Sequence, residues 1–137
     1  MKKRTPISKI MTTNIISVNK TQTLKDVAEI IKEEHIRHVP VLSGTKIIGI
    51  LSKVDLQKIS FINTIDKENL NSAMYDALTI EQVMTKTIST AQVNDTIHDV
   101  ALILSESEFH ALPILDGEDF VGIVTTTDLI KYLVDQF

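Results

Sequence analysis

The sequence predicts an α/β protein (α+β by some schemes) made of two copies of one β-α-β-β-α unit. Three observations carry that prediction: a repeat at constant offset, an apolar stripe of helical spacing in each copy, and paired strand-like runs joined by a glycine turn. An offset of 73 residues carries Met11-Thr12 onto Met84-Thr85, Thr23 onto Thr96, Asp26-Val27-Ala28 onto Asp99-Val100-Ala101, and Pro40 onto Pro113. It also carries Gly44 onto Gly117, Gly49 onto Gly122 and Asp55-Leu56 onto Asp128-Leu129, so all four glycines are matched without a gap. The repeats span 7–60 and 80–133, with 61–79 between them.

Each unit opens on a short β-branched run, Asn14 to Val18 and its equivalent Thr87 to Ala91. A helix follows, with Thr23 or Thr96 as N-cap and Asp26 or Asp99 in the first turn, where a carboxylate suits the helix dipole. Leu24, Val27, Ala28 and Ile31 form a one-faced stripe, repeated as Ile97, Val100, Ala101 and Leu104. His38 to Leu42 reads as a strand, and its early proline points to a strand beginning or an edge. Ser43-Gly44-Thr45 turns the chain into a second strand, Lys46 to Leu51. In the second copy Asp116-Gly117 precedes Asp119 to Val124. A last helix begins near Val54 or Thr127. The helix stripes exceed what one unit can bury, so two units packed sheet to sheet are expected to share a core. Between them, Leu70, Ala73, Met74, Ala77 and Leu78 have the spacing of a helical connector, without Gly or Pro.

Composition narrows the function. The chain has 137 residues, 43% hydrophobic and 23% charged, which is globular rather than disordered. A formal net charge of −4 disfavours nucleic acid as a partner, because phosphate neutralisation needs a basic surface. There is no cysteine, hence no disulfide or thiolate metal site. His35 and His38 lack a third convergent ligand in the sequence, and His98 reads as solvated. No apolar run approaches the ~20 residues of a membrane span. Lys2-Lys3-Arg4 leads into Thr5-Pro6-Ile7-Ser8 without an apolar segment, so a secretory signal is not expected and a cytoplasmic protein is. None of the nucleophile-elbow, zincin, P-loop or dinucleotide motifs occurs, which argues against an enzyme.

The chemistry-bearing stretch is Gly49-Ile-Leu-Ser52-Lys-Val-Asp55-Leu56, with its copy Gly122 to Leu129. A hydroxyl and a carboxylate three apart at a helix mouth form a cap. A carboxylate there can also accept two adjacent hydroxyl donors from a ligand, and a helix start suits an anion. Gly49 and Gly122 leave room for another group to approach the strand closely. Thr23/Asp26 and Thr96/Asp99 have the same spacing and are read as caps only, so spacing alone does not separate cap from site. Met11 and Met84 read as packing residues.

In order, a Met-Thr start, a strand bearing Ser or Thr, a Thr-capped helix, an apolar-Pro-apolar strand and G-h-h-[ST]-x-x-D-L resemble the cystathionine-β-synthase (CBS) domain. Two in tandem resemble the CBS pair, or Bateman module, here a stand-alone one, and the resemblance covers nearly the whole chain. It implies a pseudo-two-fold disc with inter-repeat clefts for an adenosine-containing ligand such as AMP, ADP, ATP or S-adenosylmethionine, with no cofactor required. It places Asp55 and Asp128 on ribose hydroxyls, Ser52 and Thr125 on sugar or phosphate, and Ser17 and Thr90 near the nucleoside. Arg37 and His38 would meet phosphates in the first repeat. In the second, Ala111 leaves His110 alone, so unequal clefts are expected. The resemblance also implies a homodimer reporting to an unidentified regulated protein, with Leu129, Ile130 and Leu133 at the contact or facing the core. The alternative is an interaction module whose clefts are degenerate and empty.

Overall fold

A computed structural model describes residues 4–62 and 77–137, the side chains of 60–62 excepted. The expected connector helix over Leu70, Ala73 and Met74 lies outside the described residues. The chain divides into two compact units, Ile16–Ile88 and Met1–Ile15 with Ser89–Phe137.

In the unit Ile16–Ile88, the elements are β1 (Val18–Asn19), α1 (Leu24–Glu34), β2 (His38–Ser43), β3 (Lys46–Ser52), α2 (Lys53–Ile62) and the short α3 (Ile80–Val83). The sheet order is β1-β2-β3, with β1 parallel and β3 antiparallel to β2. The other unit repeats this as β4 (Ala91–Gln92), α4 (Ile97–Ser105), β5 (Ala111–Asp116), β6 (Asp119–Thr125) and α5 (Thr126–Asp135), with sheet order β4-β5-β6. Both hairpins turn on a glycine with φ of 66° at Gly44 and Gly117. Only Gly takes that conformation at little cost.

The proline strand is the middle strand of each sheet, where the sequence suggested a beginning or an edge. Pro40 lies opposite Ile50. The N–H of Ile50 donates to the Thr85 carbonyl at 3.0 Å, and its carbonyl accepts the Thr85 N–H at 2.9 Å. Ile50 therefore bonds away from Pro40, and the missing proline N–H costs no bond with β3. Thr12 and Ile123 make the same exchange opposite Pro113, at 2.8 and 3.0 Å. Towards the other edge, the first strands are shorter and later than expected. Pairing starts at Val18↔Val41 and Ala91↔Ile114, one residue past each proline. A proline offers that edge no donor, so the ladder begins after it.

The helices follow their stripes. Thr23 caps α1 reciprocally: the Asp26 N–H donates to Thr23 Oγ1 at 3.1 Å and the Thr23 N–H to Asp26 Oδ2 at 3.0 Å. Leu24, Val27 and Ile31 are buried against Val39, Val41 and Leu51. Thr96 caps α4 through the Asp99 N–H alone, at 3.0 Å. Its buried residues Ile97, Val100 and Leu104 join Leu112, Ile114 and Val124.

Helix α3 did not stand out in the sequence, although Thr79-x-x-Gln82 is a capping box and forms one here. It and the 3-10 turn Ile7–Lys9 are equivalent leaders, each anchored by a fully buried isoleucine, Ile80 and Ile7. The leader of the second repeat, through Met84 and Thr85, completes the sheet of the first repeat. The leader of the first repeat, through Ile7, Met11 and Thr12, completes the sheet of the second. Each leader covers the outer edge of β3 or β6, which would otherwise present unpaired backbone groups.

His35 ends α1 in the left-handed region, at φ 54° and ψ 39°. A Cβ there is strained by about 1–2 kcal/mol, and glycine is the usual residue. His35→Gly should raise unfolding stability by roughly 1 kcal/mol, read from the urea midpoint; a lower midpoint would show that the imidazole itself stabilises this end of the helix.

Candidate functional site

In each unit the candidate residues other than Ser17 and Thr90 gather where the last strand passes into the last helix. Ser52 ends β3 opposite His38, the first residue of β2. The carbonyl of Arg37 accepts the N–H of Lys53, the first residue of α2, at 2.8 Å. Antiparallel pairing thus brings Arg37, His38, Ser52 and Asp55 to one sheet end. Ser17 immediately precedes the paired Val18, on the opposite edge strand, and is half-buried. The second unit sets Thr125 opposite Ala111, and the Thr126 N–H donates to the His110 carbonyl at 3.0 Å. Thr90, exposed, precedes Ala91 on the far edge.

Ser52 and Asp55 do cap α2. The Asp55 N–H donates to Ser52 Oγ at 3.0 Å and the Ser52 N–H to Asp55 Oδ2 at 2.9 Å. Thr125 and Asp128 cap α5 in the same way, at 3.1 and 2.9 Å. Burial separates these boxes from the one at Thr23/Asp26: the two at the sheet ends are partly buried and that one is exposed. Among the described residues, Oδ1 of Asp55 and of Asp128 accepts no hydrogen bond. An ionised carboxylate has about four lone-pair positions and the cap uses one. Each cap therefore leaves a half-buried anionic acceptor, able to take two adjacent hydroxyl donors.

The close approach made possible by Gly49 and Gly122 is filled by the chain itself. A Cβ at Gly49 would lie 2.5 Å from Met84 Sδ and 2.9 Å from the Thr85 carbonyl oxygen. At Gly122 it would lie 2.6 Å from Met11 Sδ and 3.2 Å from the Thr12 oxygen. Leu129 packs against the core of its unit, whereas Ile130 and Leu133 are 60% and 41% exposed. His98 is exposed, with Nδ1 3.8 Å from Asp99. Among the described residues, no three His, Asp or Glu converge as metal ligands, and no helix is long and apolar enough to cross a membrane.

A groove of about 470 Å³ lies between α1 and α2, lined by Ala28, Ile31, Lys32, His35, Ile36, Arg37, Lys53, Leu56 and Gln57. Arg37 is the one candidate residue on it. The sequence reading singled out neither Lys32 nor Lys53; comparing repeat equivalents position by position is the signal that finds them.

Two three-stranded sheets, each with its β-α-β-β-α order and a capped carboxylate where the last strand meets the last helix, define a tandem-repeat protein of one recognisable class. The family model for the CBS domain matches residues 7–61 and 80–135, and the chain belongs to that family as a tandem CBS pair. It is similar to the uncharacterised protein MJ0188 of Methanocaldococcus jannaschii, 31% identical over 135 residues, covering 95% of this chain and 44% of that protein. The chain spans 24% to 46% of the length of the relatives it matches. Among solved structures it resembles CBSX2 in complex with AMP, with TM-score 0.80 and 19% identity, covering 96% of this chain and 98% of that one. It also resembles the CBS pair of MJ0100 in complex with 5′-methylthioadenosine and S-adenosyl-L-methionine, with TM-score 0.76 and 23% identity, covering 97% and 98%.

Proposed function

We propose that this CBS pair is a regulatory, non-catalytic module that binds an adenosine-containing ligand and passes on its occupancy through conformation or assembly. The observation that carries this reading is the half-buried carboxylate of Asp55 and of Asp128, each with one oxygen held by its cap and the other unengaged among the described residues. Ribose offers the complementary pair of hydroxyls. The same fold holding AMP in CBSX2, and 5′-methylthioadenosine and S-adenosylmethionine in MJ0100, supports that ligand class. Ser52 and Thr125 would contact sugar or phosphate, Ser17 and Thr90 the nucleoside, and Arg37, His38 and His110 phosphates. A ligand shifts an equilibrium only by the difference in its affinity for the two states, so the output is limited by that difference.

The test is thermal unfolding with AMP, ADP, ATP, S-adenosylmethionine and NAD. A ligand selective for the folded state at a hundredfold excess over Kd adds roughly 2.7 kcal/mol and raises Tm accordingly. No shift with any of them at millimolar concentration would sink the reading. Arg37→Ala should weaken the phosphate-bearing ligands more than an adenosine without phosphate, because Arg is a permanent forked donor. Two equal sites insensitive to Arg37→Ala would contradict the proposed inequality of the clefts.

One observation favours assembly as a second reading. Helix α5 presents Ile130, Leu133 and Val134 at 60%, 41% and 64% exposure, an apolar face spaced for one side of a helix. A homodimer formed through that face would serve either reading, with adenosyl binding deciding between them.

A further inference from the structure

We propose that Met11 makes the leader of the first repeat a redox-sensitive strap: peroxide oxidation of its thioether to the sulfoxide releases the Thr12 end of the leader from β6, while the Ile7 end stays fastened. The leader is held at two places. At one, the Ile7 N–H donates to the Asp95 carbonyl at 2.7 Å, the Thr5 carbonyl accepts the Ile97 N–H at 2.8 Å, and Ile7 is fully buried. At the other, Thr12 exchanges two backbone hydrogen bonds with Ile123 on the outer edge of β6. Met11 stands beside this second fastening and is half-buried. Its Sδ takes the room of the absent Gly122 side chain, 2.6 Å from where a Cβ would be, so the sulfur lies directly on the strand backbone.

A thioether suits that notch because it is slender and apolar. Hydrogen peroxide transfers one oxygen atom to a sulfur lone pair: an S–O bond forms, the O–O bond breaks and water leaves, the sulfur losing the two electrons that the peroxide gains. The product is branched at sulfur and polar. Its oxygen finds no donor in the nearest backbone, because the N–H groups of Met11, Thr12 and Ile123 already donate to the carbonyls of Ile7, Ile123 and Thr12, at 3.0, 2.8 and 3.0 Å. A buried polar oxygen without a donor is costly. The strap can turn that oxygen to water by giving up only the Thr12–Ile123 pair, since Ile7 anchors the rest. The leader of the second repeat supplies the comparison. Met84 fills the notch at Gly49 in the same way but is 7% exposed, so peroxide reaches the half-buried Met11 first.

The test treats the full chain with hydrogen peroxide, maps the sulfoxides by peptide mass and follows backbone hydrogen exchange. Met11 should be modified before Met84. Once Met11 is oxidised, the Thr12 and Ile123 N–H groups should exchange at least about tenfold faster, while those of Ile7 and Ile97 keep their protection. Methionine sulfoxide reductases should restore the slow exchange. Met11→Gln, with a polar amide in place of the thioether, should show the same local pattern without peroxide. Met11→Leu, of similar volume, should keep Ile123 protected in peroxide, although Met1, Met74 and Met84 remain oxidisable. A chain made with norleucine in place of every methionine keeps the side-chain shape without the sulfur and should be protected in the same way. An unchanged Tm before peroxide establishes that either of these two chains is folded. Modification of Met84 first, unchanged exchange at Ile123 once Met11 is oxidised, loss of protection extending to Ile7 and Ile97, or the same loss in the leucine and norleucine chains would each overturn the inference.

Discussion

Replacing Gly49 by alanine should destabilise the protein by about 2 kcal/mol, within the range for forcing an extra carbon into a packed site. Alanine is by itself the better strand residue, because glycine loses more backbone entropy on folding. The sign is therefore set by contact. The new Cβ would stand 2.5 Å from Met84 Sδ, which can swing away, and 2.9 Å from the Thr85 carbonyl oxygen, which is backbone. That oxygen accepts the Ile50 N–H at 3.0 Å, so moving it strains the bond that closes the sheet edge. Gly122→Ala should cost less, since Thr12 O stands farther off, at 3.2 Å. Met84→Ala alone opens a cavity and should cost about 2–3 kcal/mol, as a buried Met to Ala change does. Combined with Gly49→Ala it should cost less than the two summed, with a coupling of about 1 kcal/mol. Urea midpoints of the four variants read this directly. A neutral or stabilising Gly49→Ala would show that the leader does not rest on β3 as described.

The largest effect on function is expected at Asp55 and Asp128. Asp55→Ala removes one arm of a capping box, and Asp26→Ala removes the same arm at α1. Each should cost about 1 kcal/mol of stability, the usual worth of a cap. Only Asp55→Ala should also weaken an adenosine-containing ligand, by roughly 10- to 100-fold, because two hydrogen bonds to a charged acceptor are lost. Asp128→Ala should do the same in the second unit. Calorimetric titration of the three variants separates capping from binding, which spacing alone does not. A ligand-induced stabilisation that survived Asp55→Ala together with Asp128→Ala would remove both carboxylates from the proposed site.

Much of the fold was legible because the signals are local. The stripe Leu24, Val27, Ile31, the Thr23 cap and the glycine turns all act within a few residues, and each appears where its spacing says. The first strands were misjudged because their length depends on a partner: Val18 pairs only once β2 has passed Pro40. The proline was misplaced for the same reason, since Ile50 frees it of any bonding duty by pairing with Thr85, a residue 35 positions further on. At the candidate site, the sequence named the carboxylates and their caps. It did not show that Gly49 and Gly122 receive methionines, or that Arg37 shares a groove with Lys32 and Lys53.

By itself, then, the sequence determined the repeat, the order of elements within it and the pairing of hydroxyl with carboxylate at each last helix, all properties of neighbours along the chain. Only the tertiary structure decided which sheet each leader completes. Met11-Thr12 and Met84-Thr85 are the same dipeptide, and Gly49 and Gly122 offer nearly the same strand. Local chemistry fits either leader to either sheet, so the choice rests on where the folded chain can bring them. In the structure, Met84 reaches Gly49 and Met11 reaches Gly122, and Asp55 and Asp128 each sit at the last-helix end of a sheet closed by the leader of the other repeat.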